Sequence, residues 1–380
     1  MEKVAETDPR RSHIQLGLSQ GIVIMAIALW LFSTLSVQAQ EGTLYDSPLD
    51  RFGFNVVIRY GHITDYDIAP LRAGWYANWW YAVEPDRPGD ITFVQTLSVG
   101  ENAYPPNWDR VAQAIANNPG SIWLVGNEPD TRGQDNRLPE AYAQLYHEYY
   151  HFIKSRDPTA RVSAAGIVQP TPLRFQWLDR AWAAYWDTYG TKMPVDVWNI
   201  HNQILREDRD DWGCGIPPGI EADEGQLYTV YDNASIDLFR QHIIAFRTWM
   251  RARGEREKPL IISEYGILQP SSYLGGGDPI YGDQVVRRYM EDTFTYLLTA
   301  IDDELGCPAD GNRLVQQWSW YSLNDKLIDL ETFEGYNGPL FDWRYPEYPG
   351  VMTQFGETYA AYTRQLAQRY LYLPCVMKGP

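Results

Sequence analysis

Eight short apolar runs, most of them followed by an amphipathic stretch, constrain this chain more than any other feature. The runs are Phe52–Ile58, Leu71–Trp79, Ile91–Val99, Ile122–Gly126, Arg161–Val168, Asp196–Asn202, Leu260–Glu264 and Leu314–Ser322. Several are unbroken rather than alternating, as expected of strands buried on both faces. Apolar spacing of three and four predicts helices over Trp108–Asn118, Glu140–Ser155, Phe175–Tyr189, Ile236–Arg253, Gln284–Asp303 and Gln354–Tyr370. The helices after the first two strands are poorly marked, in segments rich in Pro, Asp and Tyr. Strands alternating with helices imply a parallel sheet, and eight such units fit an α/β (β/α)8 TIM barrel in a single domain. A doubly wound open sheet would usually bring a Gly-rich first turn. Neither G-x-G-x-x-G nor a Walker A pattern occurs. The long links Leu205–Asn233, Gln269–Gly282 and Asn324–Met352 all follow strands, which puts them on the face that barrels use for function.

Two of the strands end in a carboxylate. Ile122-Trp123-Leu124-Val125 runs into Gly126-Asn127-Glu128-Pro129-Asp130, which is turn chemistry. Leu260-Ile261-Ile262-Ser263 runs into Glu264-Tyr265-Gly266. One Glu at a strand end is ordinarily a solvated loop residue. Two, each ending a buried strand of one barrel, point to a shared site at its mouth. Burial and a second carboxylate would raise the proton affinity of Glu128, as a general acid requires. A separation of about 5 Å would make the pair an acid/base and a nucleophile of a retaining glycosidase; about 8 Å would leave room for water and inversion.

Gly126-Asn127-Glu128-Pro129 on strand four, with Ser263-Glu264-Tyr265-Gly266 on strand seven, resembles the clan A glycoside hydrolases, the "4/7" barrel superfamily that includes the family 5, family 39 and Asl1-like glucanase groups. The resemblance implies Glu128 as acid/base and Glu264 as nucleophile. It implies that Asn127 hydrogen-bonds the sugar 2-hydroxyl. Asp196-Val197-Trp198-Asn199-Ile200-His201 resembles strand six of that clan, where an inward His or Tyr supports the nucleophile or contacts the sugar, so His201 joins the candidates. The chain continues Asn202-Gln203 where relatives commonly carry Tyr. Trp318 or Trp320 on strand eight resembles the sugar-stacking Trp of the clan; alternation turns both the same way. Trp75, Asn78, Arg59 and Tyr265 are further pocket candidates, with core or loop packing as the ordinary alternative for each.

One competing motif is literal. His147-Glu148-Tyr149-Tyr150-His151 reads as H-E-x-x-H, a zinc-protease signature. On a helix the two histidines lie about 200° from the apolar stripe through Leu145 and Tyr149, so they are expected to face solvent. No third ligand follows at useful spacing, and no metal or cofactor is expected. No G-x-S-x-G is present. Asn233-Ala234-Ser235 is a glycosylation sequon.

Composition bounds partners and compartment. The 32 Lys and Arg against 49 Asp and Glu leave a net charge of −17, which repels nucleic acid and anionic membranes. The 15 Trp and 27 Tyr suit a cleft that binds sugar rings, as well as a large core. Arg10 and Arg11, the apolar run Gly21–Leu35 and Val37-Gln38-Ala39 have the order of a secretory signal over residues 1–39. The catalytic domain is then 40–380, in a secreted monomer held at a membrane only if that segment stays uncleaved. In a barrel Cys307 and Cys375 both fall on the bottom face, so they are expected to pair and leave Cys214 free. The expected partner is an oligo- or polysaccharide with β-linkages, and long aromatic-rich loops favour endo over exo action. A carbohydrate-binding barrel without catalysis is the alternative from another class.

Overall fold

The computed structural model describes residues 45, 47–332, 334–344, 346–347 and 350–371, and leaves the side chains of the last two undescribed. All of these lie in the unit Thr43–Pro380. The signal segment and Cys375 fall outside the described residues, and with them the expected disulfide.

Eight parallel strands follow the order the sequence predicts. They are β1 (Phe52–Asn55), β2 (Trp75–Ala77), β3 in two pieces (Thr92–Phe93 and Gln95–Leu97), β4 (Ile122–Val125), β5 (Arg161–Ser163), β6 (Trp198–His201), β7 (Leu260–Tyr265) and β8 (Gln317–Trp320). The first piece of β3 pairs with β2 and the second with β4. On the far side β5 meets β6 through the bridges Ser163–Val197 and Ile167–Ile200. β8 pairs with β1, so each strand has two neighbours around the ring. The fold is a (β/α)8 barrel.

The helices are α1 (Trp108–Asn117), α2 (Pro139–Arg156), α3 (Pro172–Tyr189), α4 (Ile236–Ala252), a single turn α5 (Ser271–Leu274), α6 (Pro279–Thr299) and α7 (Gln354–Leu371). Their starts follow local chemistry. Asn107 and Ser235 cap α1 and α4 by accepting from Arg110 N and Leu238 N. Proline opens α2, α3 and α6. α6 starts five residues earlier than its apolar spacing predicts, because Asp278 caps it and Pro279 is its first residue rather than a break. After β1 and β2 only 3-10 turns occur, such as Ile63–Asp65 and Pro88–Asp90, matching the weak helical signal there.

Strand alternation divides the apolar residues. Phe52, Trp123, Ile262 and Trp318 belong to the core between strands and helices. Trp75, Val94, Ile122, Leu124, Val197 and Ile261 form a separate cluster that plugs the barrel interior. Trp75 fits because Gly53 has no side chain: a Cβ there would stand 2.5 Å from the indole. Above this plug Asn55 donates to Ser263 O at 3.1 Å and accepts from Ser319 Oγ at 3.0 Å, so the interior turns polar toward the mouth.

Candidate active site

The mouth of the barrel opens into a cleft of about 620 Å³. Glu128 reaches it from the turn after β4, where Gly126 has φ +95° and Glu128 itself φ +44°. A positive φ is uncommon for Glu and persists only where neighbours hold it. Here Glu128 N donates to Gly166 O at 2.9 Å. Asp135 accepts from Asn127 N at 2.8 Å and from Val99 N at 2.9 Å, tying the turn to β3.

Glu264 arrives differently. Ile261 faces the barrel interior and Ile262 the helices, so simple alternation would send Glu264 outward with Ile262. A bulge intervenes: Ile200 pairs with Ile262, but His201 pairs with Glu264. The extra residue, Ser263, re-aims Glu264 into the mouth.

The two acids meet around His201. Its Nδ1 lies 2.7 Å from Glu128 Oε1 and 3.9 Å from Glu264 Oε2. One ligating atom from each of the three side chains falls within 4.8 Å of the others, so a Glu128 oxygen and a Glu264 oxygen are at most that far apart. Gly166 makes room for the imidazole, since a Cβ there would stand 3.0 Å from Nε2. Glu264 also accepts from Trp79 Nε1 at 2.9 Å and from Gln203 Nε2 at 2.8 Å.

Electrostatics separate the pair. Burial pushes Glu128 up to about 8; Asp135 adds to this and Arg174 opposes it. Burial pushes Glu264 up to about 7, with Glu128 adding. His201 and the hydrogen bonds from Trp79 and Gln203 pull Glu264 down. Burial lowers His201, which keeps its ring neutral near pH 7. Burial favours the protonated form of Glu128, while the donors on Glu264 favour its anion.

Of the residues nominated from sequence, Asn127, Glu128 and Glu264 line the cleft, and His201 joins the acids beneath it. The others lie elsewhere. Trp318 and Trp320 face the helices, fully buried; Trp320 Nε1 donates to Gly338 O at 2.9 Å. The inward residues of β8 are the polar ones, and Tyr321 just beyond is the aromatic that reaches the cleft. Trp75 belongs to the interior plug below. Tyr265 packs outward on Phe239 and Trp320. Asn78 accepts from Trp80 N in a local turn. Arg59 is exposed, 3.8 Å from Asp325 and against the ring of Tyr60.

Sequence reading missed Trp79, Gln203, Tyr321 and Tyr336. Trp79 sits beyond β2 at φ +62°, outside any strand periodicity. Gln203 does carry a signal: it belongs to the Asn202-Gln203 pair that departs from the Tyr common in the resembled clan, and it supplies a hydrogen bond to the nucleophile candidate.

In the H-E-x-x-H motif His151 is exposed as expected, but His147 is not free in solvent. Its Nδ1 lies 2.8 Å from Tyr185 Oη and its ring stacks on Tyr189. Among the described residues, Glu128, His201 and Glu264 are the group of three with metal-ligating geometry. Asn233 of the sequon is buried, its amide engaged with backbone on both sides. Cys214 and Cys307 are buried thiols.

Residues 57–205 match the family model described as glycosyl hydrolase catalytic core. That segment holds Glu128, His201 and Gln203, while Glu264 lies beyond it. No curated protein matches the chain. Several solved structures share its fold. A GH128 (subgroup I) endo-β-1,3-glucanase from Amycolatopsis mediterranei, in complex with laminaritriose, aligns at 16% identity and TM-score 0.52, over 82% of this chain and 99% of that one. A GH128 (subgroup II) endo-β-1,3-glucanase from Pseudomonas viridiflava aligns at 17% and 0.51, over 82% and 97%. A GH128 (subgroup III) curdlan-specific exo-β-1,3-glucanase from Blastomyces gilchristii, in complex with glucose, aligns at 14% and 0.51, over 82% and 98%. Residues 57–205 are therefore similar to a glycosyl hydrolase catalytic core, and the fold around them is a (β/α)8 frame.

Proposed function

We propose that the chain is a retaining, endo-acting glycoside hydrolase of clan A type that cleaves β-1,3-linked glucan. The observation that carries the proposal is the closeness of the acids, with oxygens within 4.8 Å of each other. Retaining enzymes hold their carboxyls about 5–5.5 Å apart, and inverting ones about 6.5–9.5 Å, to admit a water. The choice of β-1,3-glucan rests on the fold neighbours, whose substrates are of that class.

In the first step a Glu264 oxygen attacks the anomeric carbon, and the bond to the leaving oxygen breaks. Glu128 gives its proton to that oxygen, and a covalent glycosyl ester remains on Glu264. In the second step Glu128, now a carboxylate, takes a proton from water. The water oxygen displaces Glu264, and the configuration is restored. Trp79 and Gln203 favour the anionic form of Glu264 that attacks and departs. The productive state has Glu128 protonated and Glu264 ionised, a division that the donors on Glu264 favour. Asn127 lines the cleft beside Glu128, which supports a role in bonding the sugar 2-hydroxyl, where charge develops.

Chemical rescue tests the assignment. Glu128→Ala and Glu264→Ala are each expected to lose at least roughly 10²-fold in turnover on β-1,3-glucan. Azide should restore turnover to Glu264→Ala and give a glycosyl azide of inverted configuration. Rescue confined to Glu128→Ala, with an inverted product, would exchange the two roles. A wild type as inactive as both variants would leave a carbohydrate-binding barrel. Product analysis separates endo action, a ladder of oligosaccharides, from exo action, a single small sugar.

A further inference from the structure

Arg174 lies outside the cleft in the first turn of α3 and is fully buried, yet all three of its nitrogens are engaged. Nε donates to Glu207 Oε1 at 2.9 Å. One terminal nitrogen donates to Asp130 O and lies 3.4 Å from Asp130 Oδ2. The other donates to Cys214 O at 3.1 Å and Gly215 O at 2.5 Å, with Cys214 Sγ at 3.2 Å. The atoms it grips belong to two segments at the cleft. Asp130 is two residues past Glu128, and Glu128, Cys214 and Gly215 line the cleft. Asp130 in turn accepts from Val168 N, a further cleft residue.

A buried ion cluster of this kind is weak evidence for stability, because desolvation of the charges offsets much of their attraction. Its geometry has a clearer use. Glu128 stands in a left-handed backbone conformation that something must hold. A planar fork is suited to fixing several acceptors at once, where a Lys would supply charge without the fork.

Granting the glycosidase reading, we infer that Arg174 is a positioning residue for the proton donor: its guanidinium fixes the Glu128–Asp130 turn against the Cys214–Gly215 segment and keeps a positive charge behind the acid. The charged and titratable groups facing Glu128 include Arg174, Asp130, Asp135, His201, Cys214, Glu264 and Tyr336. The Arg174 charge pulls the proton affinity of Glu128 down, against its burial and Asp135.

The experiment compares two substrates and one titration in the full chain. Arg174→Lys keeps the charge and loses the fork. On β-1,3-glucan, whose leaving oxygen needs a proton, it is expected to lose roughly 10²-fold in kcat/KM. On a dinitrophenyl β-glucoside or β-laminaribioside, whose leaving group departs without one, the loss should stay within about threefold, since only proton donation is impaired. Equal losses on both substrates would mean a merely structural role and overturn the inference. The second readout needs no activity: the Glu128 carboxyl is followed through its pH titration by carbon NMR. Arg174→Met should move the midpoint up, and the isosteric Asp130→Asn, which removes a negative charge, should move it down. If Arg174→Met does not fold, the two-substrate comparison with Arg174→Lys carries the test; an unmoved midpoint in Arg174→Met overturns the inference. A wild type that cleaves neither substrate would refute the glycosidase reading instead, and the titration would still decide on Arg174.

Discussion

Glu128, buried, and Glu264, partly buried, enter the folded state as carboxyls whose proton affinities lie above their ordinary value of 4.5. The folded chain therefore binds more protons than the unfolded one across that interval. The sign follows directly. Stability is greatest with respect to these groups below about pH 4.5, and it falls as pH rises through about 7 and then about 8. Glu128→Gln and Glu264→Gln remove the ionisation. Each is expected to raise the melting temperature at pH 9 more than at pH 5, by a difference on the order of a few kcal/mol in stability, since each tenfold rise in proton affinity is worth about 1.4 kcal/mol. Thermal melts at the two pH values measure it, and equal gains at both would show that ionising the acids carries no penalty. Such a gain on removing a functional side chain is the usual sign of a site built against stability.

At the scale of the element, bulges and loop ties decide which side chains meet. Both acids were legible because each interrupts a buried apolar run, a contrast that needs no tertiary knowledge. The inward side of β8 was not. Alternation sorts Trp318 and Trp320 into one set and Gln317 and Ser319 into the other, but which set faces the axis depends on strand tilt and stagger around the whole ring. Large aromatics suggested a sugar platform, whereas the helix layer had more volume to fill. Trp79 and Gln203 escaped for a related reason: both lie past strand ends, where loop backbone sets direction. Ile204 shows how tightly that backbone is held. It has φ +55°, uncommon for a β-branched residue, and Asn233 bridges the turn. The Asn233 amide donates to Gln203 O at 2.7 Å and accepts from Leu268 N at 2.9 Å and Gln269 N at 3.2 Å, linking the loops after β6 and β7. Asn233→Ala should lower stability by about 1–3 kcal/mol through the unpaired groups it leaves. It should also reduce kcat by loosening Gln203, read from a melting curve and turnover together. A drop in stability with unchanged kcat would limit Asn233 to architecture.

At the scale of the whole molecule, the ring is fastened where the chain's first and last strands adjoin. Arg51, just before β1, pairs with Asp310, just before β8, at 2.5 and 2.7 Å, and also donates to Gln316 O at 3.1 Å. Both side chains are buried, so Asp310→Ala leaves an uncompensated charge. It is expected to destabilise the barrel by about 3–5 kcal/mol, whereas replacing both partners with apolar residues should recover most of that. Denaturant unfolding of the single and double variants tests the pair; a harmless single substitution would show that the closure lies elsewhere. The fold class and the number of strands were readable because they repeat along the sequence, while the seam was not, since Arg51 and Asp310 are far apart in it. The same separation governs when chemistry can begin. Glu264 is steadied by Trp79 from one half of the chain and Gln203 from the other. A nascent polypeptide that has exposed Glu128, the proposed proton donor, still lacks Glu264, the proposed attacking group. A fragment with both acids but an open circle leaves them in water, where they lose the elevated affinities that set them apart. On the proposed reading hydrolysis needs the closed ring, and an incomplete copy is expected to be inert rather than partly active.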